Sequence, residues 1–228
     1  MDLLTSVLRL ACSGGAAYIN SRNIRDPKAR LAYLMEAQQV EYGAASFIRI
    51  LSKRAADEGD TWLSEKLAFH AIDEEKHGKI FAHALEQLTE KQQIENPPRN
   101  PFYSAYLEGY SKEELQAEKI DWVVFMGSMY VLERDSSREF AHMANALPDD
   151  DRCLKNLKKG MYNIAEDEKK HAGYLYEAMR RRMGLQAEDW VQHWRSRQVQ
   201  AILTITSEFV RGIERPLMAQ DGALFSWS

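Results

Sequence analysis

The chain has 228 residues, 45% of them hydrophobic and 28% charged, with a formal net charge of −4. That length supports one large core or two small ones, and the slightly acidic balance gives no electrostatic footprint for nucleic acid. Two distant cysteines, Cys12 and Cys153, exclude a disulfide scaffold, a zinc ribbon and a rubredoxin-type iron centre, and no apolar run is long enough to span a bilayer.

Taken in chain order, the first twelve residues form a short amphipathic pattern of Leu3, Leu4, Val7, Leu8 and Leu10. Asp2 and Arg9 spoil it as a signal peptide. With the cysteine usage this points to a reducing cytoplasm. Asp26-Pro27 reads as an N-cap and first-turn proline, opening a helix to about Ala56. Asp57-Glu58-Gly59 stops it, and Asp60 caps a second helix from about Thr61 to Gln93. The stretch ENPPRNP, Glu95 to Pro101, ends any helix. Ser111-Lys112-Glu113-Glu114 fits a capping box and opens a third helix, to about Leu147. Pro148 to Asp151 is a turn and cap. A fourth helix then runs to Met183 and Gly184, with Arg180-Arg181-Arg182 matching the dipole at its end. A fifth covers about Ala187 to Glu214. Its broad apolar face suits packing on the bundle, a channel cover or a homodimer interface. Its polar face is poor in lysine, so membrane attachment is not expected. Two hairpins joined by a long proline-rich crossover make an all-α four-helix bundle with extra N- and C-terminal helices. Residues 1–228 form a single domain with a core of about 27–183.

One pentapeptide occurs twice. Asp73-Glu74-Glu75-Lys76-His77 recurs 94 residues later as Asp167-Glu168-Lys169-Lys170-His171. Each contains Glu-x-x-His, whose members share a helical face. Glu74 falls on a stripe with Leu67, Ala71, His77, Phe81 and Leu85; Glu168 shares one with Met161, Ile164, Ala165, His171 and Leu175. Both carboxylates therefore face inward, where an uncompensated charge is costly. A shared cation removes that cost. The first helix of each hairpin supplies an inward glutamate at matching offset, Glu41 and Glu133, 92 residues apart. Glu36 stays open as a replacement for, or supplement to, Glu41; Asp135 and Glu139 are the alternatives to Glu133.

The set Glu41, Glu74, His77, Glu133, Glu168 and His171 gives one Glu from each of two helices and Glu-x-x-His from each of the others. This resembles the ferritin-like di-iron carboxylate proteins. IDEEKHGKIF, Ile72 to Phe81, is similar to the matching helix of bacterioferritins and rubrerythrins. The resemblance covers about Pro27 to Met183. It implies two iron ions, with manganese possible in either position. It also implies that Asp73 orients His171 and Asp167 orients His77. Tyr130, one turn before Glu133, reads as a hydrogen-bond partner of a ligand, a radical carrier or a packed core tyrosine. His70, one turn before Glu74, reads as a partner of a ligand or a partly exposed histidine.

The expected function is a di-iron or di-manganese oxidoreductase acting on dioxygen or hydrogen peroxide. Rubrerythrins carry a rubredoxin domain with paired CxxC motifs and this chain has none, so a separate electron-donor protein is expected. Ferroxidase activity with iron storage is the second reading, and a structural or vestigial metal site the third.

Overall fold

The computed structural model describes residues 14–15, 17–89, 101–149 and 151–211. Among them are seven helices and no strand: α1 (17–25), α2 (Pro27–Asp57), α3 (Thr61–Leu88), α4 (Phe102–Tyr106), α5 (Trp122–Ala146), α6 (Arg152–Met183) and α7 (Gln186–Arg211). The patterns at 1–12 and beyond 211 lie outside the described residues. None of the described helices is long and apolar enough to cross a membrane.

All four long core helices start on an aspartate whose carboxylate accepts backbone N–H groups left without helical partners. Asp26 accepts from Lys28 and Ala29, Asp60 from Leu63, Asp121 from Val123 and Val124, and Asp151 from Cys153 and Leu154. Gly59 and Gly184 end α2 and α6 at positive φ, 85° and 60°, which costs glycine nothing. The tight Glu58–Asp60 connection makes α2 and α3 antiparallel neighbours, and α5 pairs likewise with α6. α3 packs on α6 and joins the two hairpins into a helical bundle. By contrast, no Cα of α2 lies within 8 Å of α5. Side chains span that seam instead, with Phe47 and Phe125 rings 6.3 Å apart.

Two expected boundaries shift. Ser111 and Glu114 do form the reciprocal capping box, at 2.7 and 3.2 Å, but it opens only a few turns. The long helix waits for Asp121. The chain between is pinned by burial of Leu115, Ala117 and Ile120, and by Arg54 donating to the Ile120 carbonyl at 2.7 Å. Tertiary contacts thus override a local start signal. α3 ends at Leu88 rather than Gln93, with the Thr89 hydroxyl donating to the Leu85 carbonyl at 2.7 Å.

α7 packs on α4, α5 and α6 through buried Val191, Trp194 and Ala201. Its seat is cut into α5 at Gly127, where a Cβ would lie 2.5 Å from both Trp190 Nε1 and Trp194 Cδ1. Trp190 Nε1 then donates to the Val123 carbonyl at 2.7 Å. Gly127→Ala is expected to cost about 1–3 kcal/mol by overpacking. That lowers the melting temperature by about 2–4 °C per kcal/mol. A thermal melt identical to wild type would show that α7 does not rest there.

Candidate dinuclear metal centre

The middle of the bundle is charged. Glu41, Glu74, Glu133 and Glu168 are 3–6% exposed, and His70, His77 and His171 are 1–3% exposed. Their backbones sit on four different helices, and each residue lies on its helix's apolar stripe. The inward placement follows from the helical period that builds the core. Buried Leu34, Ala37, Phe81 and Phe140 pack at one end of this layer, and Ile48, Leu67 and Met126 at the other.

The side chains form two buried clusters with Glu74 in common: Glu41, Glu74, His77 and Glu168; and His70, Glu74, Glu133 and His171. Within each, one donor atom per residue lies within 4.8 Å of all the others. Two such groups are typical of a dinuclear metal site. His77 Nδ1 is 3.5 Å from Glu41, 3.8 Å from Glu74 and 3.4 Å from Glu168. His171 Nδ1 is 3.4 Å from Glu74 and 3.6 Å from Glu133. The opposite ring nitrogens cross the bundle. His77 Nε2 is 3.5 Å from Asp167, and His171 Nε2 is 3.5 Å from Asp73. Lys76 and Lys170 donate to those aspartates at 2.8 and 2.7 Å on the wet side.

The charges are strongly coupled. Burial and the Glu74 carboxylate push Glu41 well above the usual carboxylate range, and burial and Glu133 do the same to Glu168. Burial alone would raise Glu74 and Glu133 too. The neighbouring Glu41, His70 and His77 outweigh it at Glu74, and Glu168, His70 and His171 do so at Glu133. Without a cation, then, Glu41–Glu74 and Glu133–Glu168 each share one proton, because two adjacent buried carboxylates cannot both ionise. His171 and Lys76 hold Asp73 ionised well below its usual range.

The donors fit two divalent cations. Both ring nitrogens of His77 and of His171 are buried and lack a hydrogen-bond partner, a costly arrangement for any polar group. Each Nδ1 looks into a carboxylate cluster, as a ligand atom does. Four carboxylates carry four negative charges, which two divalent ions balance with the imidazoles neutral. Carboxylate and imidazole together suit first-row divalent metal ions.

The structure brings together all six residues singled out in the sequence as ligands, and places Asp73 and Asp167 against the opposite histidines. It does not bring Tyr130 to them. The Tyr130 hydroxyl accepts from Arg134 at 2.6 Å, and its ring packs 5.5 Å from Tyr176, toward α7. His70 is fully buried inside the site, not partly exposed. Its Nε2 is 2.7 Å from Glu74 and 3.4 Å from Glu133. Tyr174 lies 2.7 Å from His70 Nδ1 and had no signal beyond its place one turn after His171. Glu36, Asp135 and Glu139 stand outside both clusters. Glu139 accepts from Asn20 of α1 at 3.0 Å and is pushed up to about 7 by burial and Asp135. Glu139, Glu41 and Glu36 all act on half-buried Tyr33, and burial with those charges raises its phenol. The α2–α5 seam is therefore polar beside the site.

Comparison with protein-family models, with curated proteins and with solved structures finds no match.

Proposed function

We propose that this chain is a ferritin-like protein holding two iron or manganese ions, which reduces dioxygen or hydrogen peroxide. The observation that carries the reading is Glu74, shared by two buried four-donor clusters that use the two Glu-x-x-His repeats. Two ferrous ions held there supply two electrons, enough to reduce hydrogen peroxide to two waters with two protons. The remaining work falls to the chain. Asp73 and Asp167 orient His171 and His77 and raise their basicity as ligands. The apolar layers on both sides exclude bulk water, which strengthens every interaction inside. With no paired cysteines in the sequence, repeated turnover takes electrons from a separate protein.

The test is anaerobic loading with ferrous ion, followed by one equivalent of peroxide or dioxygen. Expected are two metals per chain, and oxidant consumption that repeats when a reductant is supplied. A chain that binds no metal sinks the reading. Ferroxidase activity is the second reading, favoured by Glu36, Asp135 and Glu139 at the seam, which suit an incoming cation. Retention of many ferric ions per chain without reductant-driven turnover would select it.

A further inference from the structure

The two halves of the site are copies at an offset of 94 residues, but not at every position. Glu74 corresponds to Glu168, and His77 to His171. His70, however, corresponds to Ile164, and Tyr174 to Ile80. Ile164 is fully buried among apolar residues, and Ile80 packs against Gly160. One half thus has a histidine backed by a tyrosine where the other has two isoleucines.

We infer that His70 is a seventh protein ligand, given to only one of the two metal positions, so that the positions bind unequally and fill in order. The inference rests on the dinuclear reading above. His70 turns Nε2 toward Glu74 and Glu133, the carboxylates it shares a cluster with. Its ring stacks on His171 with centroids 3.6 Å apart, so both imidazoles reach the same side. An Nε2 lone pair is free for a metal only if the ring's proton is on Nδ1. The Tyr174 oxygen, 2.7 Å from Nδ1, is placed to accept that proton. Tyr174 is therefore a positioning residue that sets the His70 tautomer. The His70 position has two imidazoles and two carboxylates; the other has one imidazole and three carboxylates. Imidazole binds the later divalent ions more tightly than carboxylate does, and the difference widens from manganese to cobalt. The His70 position fills first.

Anaerobic titration with Co(II), followed by calorimetry, visible absorption and proton NMR, tests this without any turnover. Wild type should bind two ions, the first at least about 10-fold tighter than the second. His70→Gln, which keeps bulk and a polar group, should weaken the first step by about 10–100-fold and leave the second within about 3-fold. Tyr174→Phe should weaken the first step alone, by about 10-fold. The cobalt-loaded wild type should show three strongly shifted, exchangeable imidazole N–H signals, from His70, His77 and His171, and His70→Gln two. Circular dichroism of each variant confirms the fold. Two ions bound with equal affinity, or a first step unchanged in His70→Gln, overturns the inference and leaves the dinuclear reading standing. One ion per wild-type chain also overturns it, since filling in order requires a second position that fills. No ion at all defeats the dinuclear reading itself.

Discussion

Replacing Glu74 by alanine is expected to remove both metal-binding steps at once. It is the one residue with a donor atom in each cluster. Loss of a partner outside the coordination sphere already costs about 10–100-fold in affinity. Loss of a shared ligand should exceed about 100-fold at both positions. Glu168→Ala offers the contrast, since Glu168 belongs to the cluster with Glu41 and His77 and touches the other through Glu133. It should abolish one step and weaken the second. Metal analysis after gel filtration reads both variants. A Glu74→Ala protein that still holds two ions would mean the clusters do not share a metal bridge. Neither substitution should unfold the chain: Glu74→Ala leaves Glu41, the member of its pair raised toward the neutral form, and Glu168→Ala removes the raised member and leaves Glu133 beside His70 and His171.

Metal loading is expected to stabilise the protein by the largest amount of any single change. A site saturated at about a thousand times its dissociation constant adds about 4 kcal/mol. For a chain of this size that raises the melting temperature by about 8–16 °C per site. Cations also displace the protons held by the Glu41–Glu74 and Glu133–Glu168 pairs, so loading releases protons and weakens as pH falls. The sign follows from the direction of the shifts. Glu41 and Glu168 are raised, so they hold protons at pH values where ordinary carboxylates have lost them, and metals must compete. Melting curves with and without a chelator, at pH 6 and pH 8, read both effects. A rise below about 2 °C at saturating ferrous or manganous ion would show that these carboxylates do not face a cation.

The parts of the fold legible from sequence are those written in short-range chemistry. Asp26-Pro27, Asp60 and Asp151 are caps within three residues of the N–H groups they accept from. The Glu-x-x-His copies needed only helical period and comparison with each other. What escaped depends on contacts between helices. Asp121 outranks the Ser111 capping box because Leu115 and Ile120 are held by the rest of the protein, which no local window contains. Tyr130 leans from its helix toward Tyr176 and α7, so lying one turn from Glu133 did not bring it to the carboxylate clusters. His70 looked ambiguous alone, because its role is defined by Tyr174 and Glu133 across the helix interfaces.

The crossover between the hairpins has a further meaning. Were the bundle assembled from two separate, identical hairpins, a two-fold axis would print every substitution twice, and a histidine added to one half would appear in both. Joining the hairpins in one chain, with Tyr106, Leu107 and Leu115 of the crossover buried against the bundle, lifts that constraint. Each half can then change without the other. A matched pair of donor clusters becomes an unequal one, with two imidazoles at the His70 end and one at the Glu41 end.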